Sequence, residues 1–576
     1  MKISSSQQQQ KAISKKISAL AFTKFKNREL KFLFNDKSLI FLALTFFIIY
    51  KFCLITLAFS GRNLVPEPDD SYTYISLINV VYEKGLFSDS PAIPASSYLH
   101  MLYTPYVVTL AILAKVLALT PEEIFKVSFY FGTIFLALVL TYFLKNFTSN
   151  NKLVAFTIFF LALYNGSGNY HGFYWVVPSF FAFALFLILF TQLISKSGYW
   201  YVWVIFTTLL FVLIHPISIY ATSIFIFWPV ALSLIERKIE WAKFIRGSFI
   251  VLSSIIWFSL SRIYFLSKGI VIESESSYLG VKRAFLDYLG FLDRYIHTAG
   301  DLPGKISSSK GLTAETISEV MPFSYIQQDN WEIMKIEYLD ILLPNPLLML
   351  VFVTFLFVLI KKKQYWVLAL YLATVLFLMV STVTWFGYRS LGYLWPATFI
   401  LLSHGIFFTM QFLHSKFKEL FWRFLTVTMY LGIIAVVLSL GTLNFIWAKN
   451  LNLANDLVLN KDCPKFLLAN TKKGEKINYE GKTAYAIFLS AGLFQRNANL
   501  IDANQQVGEY LVSAVNRKPQ FYTPKNPLLK LLVSKTSRRN LSFVKEDVYS
   551  EPVRRYNSQN PIKDCGDFKI YIIEKT

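Results

Sequence analysis

The stretch Val65-Pro-Glu-Pro-Asp69-Asp70-Ser-Tyr-Thr-Tyr74 follows closely on the first long apolar run of the chain, residues 38–59. It brings three carboxylates next to a segment of membrane-spanning length. Because acidic groups are costly beside hydrocarbon, we expect this cluster to face water, a cation or a polar substrate. The simpler alternative is a solvated loop in which Asp69 or Asp70 caps a helix over Tyr72–Tyr82.

The composition of the whole chain is that of a membrane protein. Of 576 residues, 55% are hydrophobic, 17% are aromatic and only 16% are charged, which excludes an ordinary soluble protein. The net charge of +22 comes from short basic clusters between apolar runs, as the positive-inside rule requires. This distribution argues against nucleic acid as a partner, because no basic stripe interleaves with aromatic residues in a polar domain.

Apolar runs divide the chain into candidate membrane spans, each needing about 17 to 25 residues. Clear runs lie at 38–59, 125–144, 174–195, 247–267, 343–360, 365–383, 393–413 and 422–446. Three less regular runs lie at 152–164, 199–214 and 217–235. The run 105–119 is brief, begins with Pro105 and contains Lys115, so its status depends on charge. The span centres are almost free of charge, and no internal repeat is evident.

Basic residues decide the topology. If residues 105–119 do not cross the membrane, all the basic clusters between the spans lie on the cytoplasmic side with the N-terminus. The clusters are Lys145 with Lys152, Lys196, Arg237 to Arg246, Lys361 to Lys363, and Lys416 to Arg423. If the run crosses, all of them move outside. We therefore predict a half-inserted helix at the outer surface for 105–119. The fold class that follows is an all-α polytopic membrane protein with about eleven transmembrane helices.

Three regions are predicted. Residues 1–37 form a basic cytoplasmic tail without a cleavable signal peptide. Residues 38–447 form the multi-span domain, with outer loops 60–124 and 268–340. Residues 448–576 are polar and alternate short apolar runs with turns, which predicts a small extracytoplasmic α/β domain. Cys463 and Cys565 lie in that region, where pairing and free thiols remain alternatives.

Asp69 and Asp70 are the first candidates for chemistry. A carboxylate can remove the proton of an attacking hydroxyl, and a pair of carboxylates can instead hold a divalent cation such as Mg²⁺ or Mn²⁺. From the residues alone both roles stay open, so no cofactor is assigned with certainty. Glu67, held between two prolines on an extended segment, is a weaker candidate for substrate binding.

Arginines supply the second set of candidates. Arg389, preceded by Tyr388, lies just outside a predicted span, where a guanidinium can bind a phosphate through two hydrogen bonds at headgroup depth. The alternative is an interfacial arginine whose charged head reaches the membrane surface. Arg262, about one turn inside the outer end of its span, presents the same two alternatives.

Two of the histidines on the predicted outer side are candidates for binding. His215 precedes Pro216 at the end of an apolar run, where a structural, hydrogen-bonded histidine competes with a phosphate contact or proton transfer. His171 lies in the loop Tyr164–Trp175, rich in Gly, Asn and Tyr, which suits contacts to a sugar as well as it suits an interfacial turn. The remaining histidines show no metal-ligand spacing, and no nucleotide-binding glycine loop is present.

Taken together, these motifs resemble the GT-C superfamily of polytopic glycosyltransferases, which use lipid-phosphate-linked sugars. The resemblance rests on the basic N-terminal span, the acidic first outer loop, the sequence Tyr103-Thr-Pro105 opening a short surface helix, His215-Pro216, Tyr388-Arg389 and the polar C-terminal region. It implies that Asp69 or Asp70 is the base or metal ligand and that Arg389 meets the donor phosphate. The second outer loop departs from the family pattern because it has no acidic residue, and for this reason we slightly favour a base without a metal over a metal site.

The function that this resemblance implies is transfer of a hexose or pentose, in the manner of mannosyl- and arabinosyl-transferases. The donor would be a polyprenyl-phosphate sugar and the acceptor a lipid, a glycan or a protein at the outer face of the inner (plasma) membrane of a cell envelope. Membrane lipids are the other expected partners. Alternatives are an O-antigen or polysaccharide polymerase or ligase, a transporter or lipid flippase, and a scaffold without catalytic activity.

Overall fold

The computed structural model describes a set of ranges that covers most of the membrane domain. These are residues 36–59, 68–85, 98–164, 178–194, 198–215, 217–267, 338, 346–381, 390–416, 419–458, 466, 469–471, 476–480, 497–500, 510–514, 560–564 and 568–572. Glu67, His171, Tyr388, Arg389, Cys463 and Cys565, together with residues 1–35 of the predicted tail 1–37, lie outside these ranges.

Helices form nearly all of the described chain up to residue 458. They are α1 Asp36–Phe59, α2 Pro68–Lys84, α3 Tyr98–Leu117, α4 Pro121–Phe147, α5 Asn151–Leu163, α6 Pro178–Gln192, α7 Trp200–Ile214, α8 Ile217–Ala221, α9 Ile224–Glu236, α10 Trp241–Ser267, α11 Pro346–Lys361, α12 Tyr365–Ser381, α13 Leu391–Ser415 and α14 Leu420–Val458. Every apolar run identified in the sequence falls on one or two of these helices.

Six of the described helical segments are long and apolar enough to cross a membrane: Ser38–Ala58, Pro121–Phe147, Ser218–Glu236, Trp241–Ser261, Leu391–Ser415 and Leu420–Ile446. Other apolar helices, such as α5, α6, α7 and α12, are shorter. The molecule is therefore a helical polytopic membrane protein, whereas the count of about eleven spans stays a prediction.

One end of the helix assembly is marked by a cluster of aromatic rings. Phe147 at the end of α4 stacks on Trp366 at the start of α12 at 4.7 Å, and Phe190 near the end of α6 meets Trp228 of α9 edge-on at 5.0 Å. The indole N–H of Trp228 donates to the carbonyl oxygen of Trp366 over 3.2 Å. We call this the tryptophan end. Its turns carry exposed basic residues, namely Arg237, Lys238 and Lys361 to Lys363.

The opposite end is marked by Tyr74 of α2, Tyr106 of α3, Phe181 of α6 and Tyr393 of α13, and we call it the tyrosine end. Phe181 and Tyr393 lie near the beginnings of α6 and α13, which run toward the tryptophan end, and Tyr74 lies 6.4 Å from Phe125 near the beginning of α4, which finishes there. Because the positive-inside rule places the basic turns in the cytoplasm, the tyrosine end is the predicted outer side.

Two glycines allow helices to pack closely in the core. A Cβ atom on Gly247 of α10 would lie 2.1 Å from the carbonyl oxygen of Phe225 of α9. A Cβ atom on Gly405 of α13 would lie 2.6 Å from the Cβ of Phe355 of α11. Any larger side chain at either position requires the helices to separate.

Helices α13 and α14 have opposite surroundings. In α13 most side chains in the membrane-length window are buried, whereas in α14 only 6% of that window is buried. Phe421, Phe424 and Leu438 are among the exposed apolar side chains of α14. An apolar helix that contacts the other helices mainly along α1 and α13 is suited to face lipid over the rest of its surface.

The helix expected to open at Pro105 instead begins at Tyr98, so that Pro105 lies inside α3. That expectation was wrong because proline is favoured in the first turn of a helix but is also tolerated inside an apolar one. The run 105–119 is thus the second part of a 20-residue helix. Its place at the outer membrane surface stays a prediction.

Strands appear only beyond residue 475 in the described chain. They are β1 Lys476–Glu480, β2 Asn497–Leu500, β3 Tyr510–Ala514, β4 Lys563–Asp564 and β5 Phe568–Ile572. They form one sheet in the order β2-β1-β3-β5-β4, in which β1 pairs in parallel with β2 and β3, and β5 pairs in antiparallel with β3 and β4. A separate extracytoplasmic domain over 448–576 remains a prediction.

Candidate functional site

The acidic stretch begins a helix. Helix α2 starts at Pro68, so Asp69 and Asp70 lie in its first turn, rather than capping a helix that begins at Tyr72 as the sequence suggested. Proline is favoured at the first helical position, and carboxylates in the first turn are stabilised by the helix dipole. The backbone therefore presents both aspartates at the N-terminal end of α2.

Helix α2 is fixed by aromatic contacts one turn beyond Asp70. The ring of Tyr74, 3% exposed, meets the ring of Tyr106 of α3 edge-on at 5.7 Å and lies 6.4 Å from that of Phe125 of α4. Further along α2, the ring of Tyr82 lies 5.3 Å from the ammonium group of Lys115 of α3. These contacts hold the turn that carries the aspartates against α3 and α4.

The start of α13 is the second element of the site. Arg389 and Tyr388 come immediately before the buried Ser390. Three residues on, the ring of Tyr393 meets Phe183 and Phe186 of α6 at 5.8 Å and 5.1 Å. It also meets Phe377 of α12 edge-on at 5.7 Å. Arg389 is thus attached to a helix start that packs firmly on α6 and α12.

Helix α6 joins these two elements. Its Phe181 lies 5.6 Å from Tyr106, which contacts Tyr74, and its Phe183 contacts Tyr393. Phe181 and Phe183, two residues apart at the start of α6, therefore contact α3 beside α2 and the start of α13, respectively. The first turn of α2 and the first turn of α13 lie at the same end of the molecule, the tyrosine end.

Buried polar atoms without a hydrogen-bond partner in the described structure collect at this end. They are Ser179 Oγ, Ser218 Oγ, Tyr393 OH and Trp395 Nε1. Each lies within the first five residues of α6, α8 or α13. Since buried polar groups are normally hydrogen-bonded, water or a polar ligand is the expected partner of such a set. His404 Nε2 and Thr409 Oγ1, further along α13, have no such partner either.

His215 and Arg262 are placed differently by the structure. His215 is buried at the C-terminal end of α7 in an extended conformation, and its carbonyl oxygen accepts from the Ser218 N–H over 3.0 Å. This supports the break between α7 and α8. Arg262 lies in α10, two turns or less from its end at Ser267, and only its backbone is described.

A metal site is not supported by the described residues. Among them no three His, Cys, Asp or Glu side chains gather closely enough to hold an ion. The side chains of Asp69 and Asp70 lie outside this search, as Glu67 does. Whether Asp69 and Asp70 hold a cation therefore stays a prediction, and no step is assigned to one.

Sequence reasoning missed Lys51, which lies within α1 and is fully buried. Its Nζ donates a hydrogen bond to the carbonyl oxygen of Tyr164, at the end of α5. The span centres are almost free of charge, and Lys51 is the exception that the sequence analysis did not single out. A charged residue within a membrane span is itself a signal of a specific partner, and it was available from the sequence.

Comparisons with known proteins give structural neighbours but no relatives in sequence. No protein-family model matches the chain, and no curated protein matches it. Similar solved structures include the apo oligosaccharyltransferase of Archaeoglobus fulgidus, at 12% identity and a TM-score of 0.44 over 82% of this chain and 69% of that one. The oligosaccharyltransferase AglB of the same organism, in complex with an inhibitory peptide and a dolichol-phosphate, has 12% identity and a TM-score of 0.42, over 80% of this chain and 64% of that one. The Archaeoglobus fulgidus oligosaccharyltransferase in complex with Zn and sulfate has 12% identity and a TM-score of 0.42, over 82% of this chain and 68% of that one.

Proposed function

We propose that this protein is a membrane glycosyltransferase that moves a sugar from a polyprenyl-phosphate donor to a lipid, glycan or protein acceptor at the tyrosine end. The observation that carries the proposal is that α6 links two helix starts. It contacts the start of α13, which follows Arg389 directly, and through Tyr106 of α3 it is linked to α2, with Asp69 and Asp70 in its first turn. A base and a phosphate-binding cation are the two groups that such a transfer requires.

In the proposed reaction, the carboxylate of Asp69 or Asp70 takes the proton of the acceptor hydroxyl while that oxygen attacks the anomeric carbon. The bond from this carbon to the phosphate oxygen breaks, and the lipid phosphate leaves with the electron pair. Negative charge grows on the phosphate in the transition state, so the guanidinium of Arg389 binds it most strongly there. Tyr388, His215, Arg262, His171 and Glu67 are proposed to contact donor or acceptor.

The polar atoms buried at the tyrosine end support a polar ligand in this place. Tyr393 is 4% exposed and Trp395 is 6% exposed, yet neither Tyr393 OH nor Trp395 Nε1 has a partner among the described residues. A sugar ring offers several hydroxyl groups that can both donate and accept. The outer face of the inner (plasma) membrane, with the N-terminus in the cytoplasm, is the location that this proposal requires.

The test is sugar transfer in membrane vesicles supplied with radiolabelled polyprenyl-phosphate mannose or arabinose. Asp69→Asn combined with Asp70→Asn removes the base without changing side-chain size, and we expect transfer to fall to background. Glu122→Gln is the matched control, because Glu122 is a partly exposed carboxylate in the first turn of α4 and forms a salt bridge with Lys126 of the same helix at 3.3 Å. Wild-type transfer by the double aspartate variant would refute the assignment.

A polymerase or ligase that moves a whole glycan is the closest alternative, since it needs the outer arginine more than the acid. Arg389→Ala should then abolish activity while Asp69→Asn leaves it intact. Transport is a second alternative, and Lys51 is the mid-span charge expected for it. However, the hydrogen bond from Lys51 to the Tyr164 carbonyl gives this lysine a structural role at a helix end.

A further inference from the structure

Three helices meet in a buried polar junction near the tyrosine end. Lys51 Nζ of α1 donates to the carbonyl oxygen of Tyr164, which follows α5. The side-chain amide of Asn444 of α14 donates to the carbonyl oxygen of Leu163 over 2.9 Å and contacts the hydroxyl of Tyr50 at 2.8 Å. Lys51, Tyr164 and Asn444 are 0%, 4% and 8% exposed. These five residues form what we call the three-helix junction.

The length of α5 explains why the junction is needed. Its 13 residues extend about 20 Å, less than the roughly 30 Å of a bilayer's hydrocarbon core. The last carbonyl groups of α5 therefore face an apolar layer instead of water. An unpaired carbonyl there costs several kcal/mol, so donors from neighbouring helices are required. Lys51 and Asn444 supply them, and a cation at a helix C-terminus also complements the helix dipole.

Both partners of the lysine contact lie at one depth. Lys51 comes 13 residues after Ser38, where the span in α1 begins, and Tyr164 comes 13 residues after Asn151, where α5 begins. Each helix has therefore risen about 20 Å from its cytoplasmic end when it reaches the junction. Beyond it, Leu54 and Ala58 of α1 pack on Ala448 of α14, so these two helices stay together.

Three segments of the chain continue from this junction, and each leads to a different part of the predicted outer side. Helix α1 leads to the acidic turn of α2, the chain after Tyr164 leads to the segment that contains His171, and α14 leads to the strands of the C-terminal region. We propose that the three-helix junction is a positioning device that fixes the depth at which these segments leave the membrane domain relative to one another. Its link to catalysis rests on the proposed function, whereas its structural role does not.

Disulfide trapping tests the structural part. In a full-length protein with Cys53, Cys463 and Cys565 replaced by Ser, the pair Ala58→Cys and Ala448→Cys reports whether α1 and α14 stay in contact. Asn444→Leu removes the bonds of α14 to Tyr50 and Leu163, and Lys51→Met removes the bond of α1 to Tyr164. Each should slow trapping at least about tenfold, the change expected when one buried hydrogen bond is lost. The matched control is Thr208→Val. It removes a buried hydrogen bond of 2.7 Å between the hydroxyl groups of Thr208 on α7 and Ser253 on α10, and it should leave trapping unchanged.

The second measurement is kcat/KM for sugar transfer at a temperature where each variant is folded. Asn444→Leu should lower it about tenfold. Thr208→Val should not, although it lowers thermal stability by a similar amount. Unchanged trapping in Asn444→Leu, or in Lys51→Met if only that variant folds, would overturn the proposal. If wild type transfers no sugar, the proposed function fails while the trapping result still decides the role of the junction.

Discussion

Removal of the Tyr74 ring is the perturbation that most sharply separates folding from catalysis. Tyr74 lies one turn beyond Asp70, is 3% exposed, and contacts Tyr106 edge-on at 5.7 Å. Tyr74→Ala deletes a buried aromatic ring, which costs about 3 kcal/mol, including about 1 kcal/mol for the edge-to-face pair. Because this ring attaches α2 to α3 and α4, the turn that holds the aspartates should shift when it is lost.

A displacement of about 1 Å at a catalytic group lowers a rate by about a hundredfold. We therefore expect Tyr74→Ala to reduce kcat for sugar transfer by roughly that factor in protein that remains folded. Tyr74→Phe keeps the ring and should retain most of the activity. The assay is transfer from a radiolabelled polyprenyl-phosphate sugar, measured alongside thermal unfolding in the same detergent.

The control for this experiment is Phe190→Ala at the tryptophan end. Phe190 is 0% exposed and meets Trp228 edge-on at 5.0 Å, so its loss removes a comparable ring and a comparable pair. We expect a similar fall in thermal stability with little change in kcat. Equal loss of kcat in both variants, or wild-type kcat in Tyr74→Ala, would refute the view that α2 carries the catalytic turn.

Three further predictions concern packing, helix initiation and metal. Gly247→Ala should sharply lower the thermal unfolding temperature, because its Cβ would lie 2.1 Å from the Phe225 carbonyl oxygen, and an unchanged temperature would contradict the close α9–α10 contact. Thr120→Ala should cost about 1 kcal/mol of stability by removing the cap in which Thr120 Oγ1 accepts from the Glu123 N–H over 3.2 Å, whereas Thr120→Ser should restore it. Treatment of membranes with EDTA should leave the transfer rate unchanged, and a loss that Mg²⁺ or Mn²⁺ restores would replace the base mechanism with a metal-assisted one.

The positions of the helices could be predicted well from the sequence, because long apolar runs have few alternatives in a membrane protein. Residues 365–383, for example, were predicted as a span and form α12, Tyr365–Ser381. Helix starts were harder to predict. Helix α2 begins at Pro68 and α3 begins seven residues before Pro105, because proline permits both a first turn and an apolar interior.

The polar contacts between helices could not be predicted in the same way. Lys51 binds the carbonyl oxygen of a residue 113 positions away, and Asn444 binds that of a residue 281 positions away. Neither partner is a side-chain atom, so no motif or spacing signals the pair. The sequence shows Lys51 as a lysine within a predicted span. Its role as a donor to the end of α5 follows from the shortness of that helix, which only the fold shows.

The candidate site shows the same division. Asp69 and Asp70 stand out by residue type, and Arg389 by its position after an apolar run. That α2 and α13 begin at the same end, with α6 in contact with α13 and with α3 beside α2, depends on ring pairs 75 and 210 residues apart in the chain and could be proposed only through topology. The positions of the side chains of Asp69, Asp70 and Arg389 in one site stay a prediction.

The central claim is that the turn with Asp69 and the residues before α13 form one site for a lipid-linked sugar. Its most direct test is labelling of single cysteines, Asp69→Cys and Arg389→Cys, by a membrane-impermeant maleimide added from the outside, in the presence and absence of polyprenyl phosphate. We predict that both positions are labelled from outside and that both are protected by the lipid, with Arg389→Cys needing a higher lipid concentration because its phosphate-binding guanidinium is gone. Protection at only one position, or labelling of either one only from the cytoplasmic side, would contradict the claim.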